Sequence, residues 1–137
     1  MNKAIANKVV ARFADGRIVK GSTSDFVATK DAFHVALADA PLSAKPTLIQ
    51  IKDLKAIFFV KDFAGRPEYQ PRQEFDPSSP VVGRKIKVVF KDGEVLVGTT
   101  QGYKPGRPAF FVVPADQKSN IERCFVIAEA AKEITLL

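Results

Sequence analysis

Tryptophan is absent from this chain of 137 residues, and cysteine, histidine and methionine occur once each. A single cysteine, Cys124, cannot form an internal disulfide, and its place in the apolar run Cys124 Phe125 Val126 Ile127 predicts a buried, inert thiol. With one histidine, one cysteine and no acids clustered at ligand spacing, neither a structural zinc or haem site nor any other cofactor is expected. No apolar run approaches the roughly 20 residues that a membrane helix needs, so no membrane association is expected. Met1 to Lys8 lacks the apolar core of a secretory signal, which makes the cytoplasm the expected compartment.

What is present is ordinary for a globular protein: 46% hydrophobic and 26% charged residues. The net charge of +6 raises the prospect of a polyanionic partner such as nucleic acid. Lysine and arginine are spread along the whole chain among acids, however, and a solvated surface of mixed charge explains that pattern as well.

The sequence repeats itself. A shift of 77 residues, with no gap, lays Phe13, Asp15, Gly16, Gly21 and Thr23 on Phe90, Asp92, Gly93, Gly98 and Thr100. The same shift pairs Ala32, Phe33, Val35, Ala38 and Asp39 with Ala109, Phe110, Val112, Ala115 and Asp116, then Lys55 and Ile57 with Lys132 and Ile134. A lone unit of this size would bury only about 60% of its unfolded surface, so the two halves are expected to share an interface in one body. The organisation reads as a first repeat at 1–60, a connecting strap at 61–84 and a second repeat at 85–137.

Each unit reads as strands. Val9, Ala11 and Phe13 alternate in the first unit, as do Ile86, Val88 and Phe90 in the second, and period two means strand. Asp15 Gly16 and Asp92 Gly93 predict type I′ hairpin turns, in which both central residues need positive φ. In the returning strands Gly21 and Gly98 mark a sharp bend or bulge. A third strand is predicted from Ala32 to Leu37 and from Ala109 to Val113. Each unit then ends as strand, single helical turn, strand, through Lys52 Asp53 Leu54 in one and Ala128 to Ala131 in the other. The expected fold is all-β: two tandem Sm-like or SH3-like five-stranded small barrels packed as one body.

Asp15 Gly16, Gly21, Phe26 and Asp31 keep the spacing of the first Sm motif, and Asp92 Gly93, Gly98 and Tyr103 keep most of it, so both units resemble the Sm and Sm-like family. The family's uridine-reading Asp and Asn are replaced by Val27 and Asp31 in one unit and by Lys104 and Pro108 in the other, so the resemblance implies fold rather than RNA reading. Over nearly the full length, Phe58 Phe59 Val60 Lys61 Asp62 Phe63 with Gly65, Pro67, Glu68 and Tyr69, and later Pro114 Ala115 Asp116 with Ser119, Asn120 and Arg123, resemble an uncharacterised two-repeat bacterial family associated with signalling proteins. That resemblance implies a regulatory or scaffold module.

Two places stand out as candidate binding sites. The strap is far longer than the usual 4 to 6 residues of a connection, and it carries Phe63, Arg66, Tyr69, Arg72 and Phe75. Arg66 and Arg72 could grip phosphate or carboxylate while Tyr69 stacks on a ring, or the aromatics could simply pin the strap down. PilZ-type cyclic dinucleotide receptors use two arginines ahead of an Asp, Ser and Gly signature. Arg66, Arg72, Asp76, Ser78 and Gly83 resemble that set, with different spacing. The second place is the loop after each second strand, where Lys30 and Arg107 are equivalent and Lys104 adds a charge beside Tyr103. A basic loop with an aromatic can stack bases, and turn chemistry at Pro105, Gly106 and Pro108 is the competing explanation.

No catalytic set can be assembled. His34 has Phe111 at the equivalent position and reads as a strand side chain, Thr23 has no assured base beside it, and Asp39 and Asp116 read as turn caps. The chain is therefore expected to be a non-catalytic binding module of bacterial signalling or regulation with a protein partner, nucleic acid being the alternative. Open barrel edges also leave room for a homodimer.

Overall fold

The alternation of the first run becomes strand β1 (Asn7–Phe13), which buries Val9, Ala11 and Phe13 and leaves the residues between them partly exposed. The computed structural model describes residues 6–41, 43–63, 75, 82–116 and 118–137. The first half continues with β2 (Ile18–Thr23), β3 (Ala32–Leu37), β4 (Thr47–Gln50), a 3₁₀ turn (Ile51–Asp53) and β5 (Leu54–Val60). The second follows the same order with β6 (Arg84–Phe90), β7 (Val95–Thr100), β8 (Ala109–Pro114), β9 (Ile121–Ile127), a 3₁₀ turn (Ala128–Ala130) and β10 (Ala131–Leu136). Among the described residues no helix is long and apolar enough to cross a membrane.

All the pairings are antiparallel and form one ten-stranded sheet in the order β10-β6-β7-β8-β9-β5-β1-β2-β3-β4. The all-β class is as expected; the described strands join in one open sheet, and two tandem barrels are not shown by this pairing. A strand has two hydrogen-bonding edges, and β5 spends one on β1 and the other on β9 of the opposite half, so neither is left to close on β4.

The β5–β9 joint has a distinct packing logic. Alternate residues of β5 serve different cores: Leu54, Ile57 and Phe59 join the first, with Val9, Phe33 and Ile49, while Ala56, Phe58 and Val60 join the second, with Ile86, Val88 and Phe110. Strand β9 does the same, giving Phe125 and Ile127 to the first core and Cys124 and Val126 to the second. Every residue of β5 is consequently buried. At about 1.5–3 kcal/mol per large apolar side chain, the joint is a major source of cohesion between the halves. Cys124 is fully covered, and burial pushes its thiol pKa far up, out of the reactive range.

Two local expectations change in detail. The hairpins are not type I′: among the described residues no non-glycine has positive φ, and within these two turns only Gly16 (98°) and Gly93 (94°) do. Asp15 Oδ1 accepts the amide of Arg17 at 3.0 Å, and Asp92 Oδ1 that of Glu94 at 3.0 Å. With the amides of Gly16 and Gly93 donating to the carbonyls of Phe13 and Phe90, the result is a type I turn followed by a left-handed glycine. Gly21 and Gly98 lie in unbroken ladders rather than at bulges. A Cβ at either would collide with a backbone carbonyl of the third strand, that of Ala36 or of Val113. The bulge falls elsewhere, at the same place in both halves. Lys55 is skipped between Arg12↔Ala56 and Phe13↔Leu54, and Lys132 is skipped between Glu133↔Val89 and Ala131↔Phe90.

Candidate functional site

The loops after β2 and β7 are each held by one ring. Phe26 packs edge-on against Phe33 at 5.4 Å and Phe59 at 5.5 Å in its own half, and against Phe125 at 5.1 Å and Phe111 at 6.2 Å in the other. Tyr103, its counterpart, lies 4.6 Å from Phe110 and joins the second core. Tyr103 thus anchors its loop and spends a face of its ring on Phe110.

So anchored, the two loops meet at one cavity of about 850 Å³ across the joint. Lys30 and Arg107, equivalent in the repeat, both line it, together with Lys52, Asp31 and Glu129, above Phe111 and Phe125. Arg107 Nη1 donates to the carbonyl of Gly102 at 2.8 Å, which fixes the guanidinium on its own loop. Lys104 is exposed and is not part of the wall; its carbonyl accepts the Arg107 amide in the turn at 3.1 Å. Three cations, two carboxylates and an aromatic floor suit a ligand that is anionic at some points and apolar at others.

Beyond Lys52 and Glu129 lies a second cavity, of about 480 Å³, lined also by Lys55, Phe90, Lys91 and Asp92. Here is the feature that sequence reasoning missed: Lys55 is 6% exposed, yet charged. The bulge turns it across the joint, where Nζ donates to Asp92 Oδ2 at 2.7 Å and Glu94 Oε1 at 2.6 Å and stands 4.6 Å from the centre of the Phe90 ring. The Lys55 ammonium, and after it the Glu94 amide, hold the Asp92 carboxyl below its ordinary range. A lysine retained in both copies inside the run Leu54 Lys55 Ala56 Ile57 was the available signal.

The remaining candidates are placed as follows. Arg66, Tyr69 and Arg72 lie outside the described residues, as do Asp76 and Ser78. Of the strap's aromatics, Phe63 packs against the second core with its carbonyl 3.5 Å from Lys20 Nζ, and the Phe75 ring lies 4.8 Å below Lys85 Nζ. His34 is an exposed β3 side chain with Nδ1 2.8 Å from Asp25 Oδ2. Thr23 donates its hydroxyl to the other Asp25 oxygen at 3.1 Å, and the His34 amide, the first of several donors, keeps that carboxyl below its ordinary range. Asp116 caps its turn by accepting the Lys118 amide at 3.0 Å. Arg123 lies over two rings of the joint, Phe59 at 4.3 Å and Phe111 at 4.8 Å. Among the described residues no group of three or more His, Cys, Asp or Glu could hold a metal ion.

The chain belongs to a family of unknown function, DUF6982, whose pattern matches residues 5–137. Comparison with curated proteins and with solved structures finds no match.

Proposed function

We propose that the protein is a non-catalytic binding module, built of two Sm-like small barrels left open to each other, whose joint cavity takes an acidic, partly apolar segment of a protein partner in the bacterial cytoplasm. The observation that carries this is the meeting of Lys30 and Arg107, one from each half, on a single cavity with an aromatic floor. Interleaved Asp31 and Glu129 favour a peptide of mixed character over a uniform polyanion, because each carboxylate repels phosphate.

The test is capture from an extract of the source cell on immobilised wild-type protein and on Lys30→Glu/Arg107→Glu, each with and without nuclease. The expected result is a defined protein that survives nuclease and is lost from the variant. Material that disappears with nuclease would move the assignment to nucleic acid, the reading favoured by the net charge of +6. Capture indifferent to the charge reversal would reject the cavity. Titration with cyclic dinucleotides by calorimetry separates the remaining alternative at Arg66 and Arg72.

A further inference from the structure

Strands β5 and β10 are equivalent in the repeat but differ in their neighbours. β5 is paired on both sides, whereas among the described residues β10 and β4 each have one strand neighbour and end the sheet. In the joint, Ala56 stands opposite Val126, Ile57 opposite Phe125 and Phe58 opposite Cys124. Carried over by one repeat, the same register sets Glu133 opposite Ile49, Ile134 opposite Leu48 and Thr135 opposite Thr47. The fold therefore already contains the mating geometry for one occupant of these edges, a second copy of the chain, with β10 of one laid antiparallel on β4 of the next.

The residues at these edges show how that docking is controlled. Positions of β10 that face its own core stay apolar, with Ile134 for Ile57 and Leu136 for Phe59. Two positions that would face the neighbour do not, for Glu133 replaces Ala56 and Thr135 replaces Phe58, whereas Leu137, the counterpart of Val60, stays apolar and exposed. Across the joint Lys55 is received by Asp92 and Glu94; the equivalent receivers for Lys132 are Asp15, which is kept, and Arg17, which repels it. On β4, Leu48 is 52% exposed where its counterpart Phe125 is buried in the opposite core.

We propose that β4 and β10 form a latent head-to-tail docking surface for a second copy of this chain, held shut by Glu133, Thr135 and Arg17. Docking would carry the Glu133 carboxylate into the place where Ala56 is wholly buried, and a buried charge without a partner is too costly to allow it. This is the protection that an open sheet edge requires, applied to the one wrong partner that is always present.

The test converts each guard to the residue of the internal joint: Glu133→Ala/Thr135→Phe/Arg17→Glu, with mass measured by light scattering after gel filtration at rising concentration. The wild type is expected at single-chain mass and the variant as dimers and larger assemblies, because a head-to-tail contact leaves a free edge at each end until a ring closes. Adding Leu48→Lys is expected to restore the single-chain mass, which ties the assembly to β4. Should Thr135→Phe impair folding, Glu133→Ala/Arg17→Glu changes two surface positions and is expected to show the same rise of mass with concentration. A variant with wild-type circular dichroism that stays at single-chain mass overturns the proposal. So do assemblies indifferent to Leu48→Lys, or a wild type that already associates through Leu48.

Discussion

Strands β5 and β10 share a bulged lysine and an isoleucine two residues later, and they follow the same kind of 3₁₀ turn, yet β5 is buried along its whole length while β10 is half exposed. The difference teaches that a strand's second face is dictated by its neighbour. β5 has β9 beside it and has become apolar on both faces, as a strand between two cores must. β10 keeps one apolar face and turns Glu133 and Thr135 outward. The lysines divide in the same way: Lys55 is received by two carboxylates of the other half, and Lys132 has no such receiver among the described residues.

The largest effect that would break this contrast is Ala56→Glu, which writes the β10 residue into the joint. It is expected to cost at least about 4 kcal/mol, since an unpaired carboxylate would be buried between two cores, and to abolish cooperative unfolding in urea near room temperature. Next comes Gly98→Ala, whose methyl meets the carbonyl of Val113. A loss of about 3 kcal/mol is expected on the urea midpoint, because backbone, unlike a side chain, cannot swing aside. Equality of Gly98→Ala with wild type would show that the third strand does not cross where it is placed.

A smaller difference separates the lysines. Lys55→Met is expected to cost about 1–2 kcal/mol, less than for a wholly buried pair because Asp92 and Glu94 can turn to water, whereas Lys132→Met should stay within about 0.5 kcal/mol. Since Lys55 depresses the Asp92 pKa in the folded state, its contribution is complete above the unfolded value of about 3.9 and fades as pH falls through the lower, folded value. The gap between wild type and Lys55→Met should therefore narrow below about pH 4 in acid unfolding followed by circular dichroism. A gap that stays constant there would mean that the pair contributes nothing.

Much of the fold was legible in the chain. Alternation at Val9, Ala11 and Phe13 and at their counterparts located strands, and Asp Gly located hairpins, since these signals are local. The turn type was misjudged because Asp15 and Asp92 hydrogen-bond the following chain and so keep their own φ negative. At the candidate site Lys30 and Arg107 were visible as an equivalent pair, but not their convergence on one cavity. Tyr103 packs against Phe110, a contact that no local pattern announces.

By itself the sequence determined the all-β class, which residues of the first strands point inward and where the chain turns, because strand period and turn chemistry reside in neighbouring residues. Only the tertiary structure decided that β5 meets β9, that Phe26 crosses to the other half, and that Lys55 is buried against Asp92 and Glu94. Those choices depend on which edges and faces find each other across 37 or more residues, and no local pattern of apolar and polar residues encodes the partner of an edge.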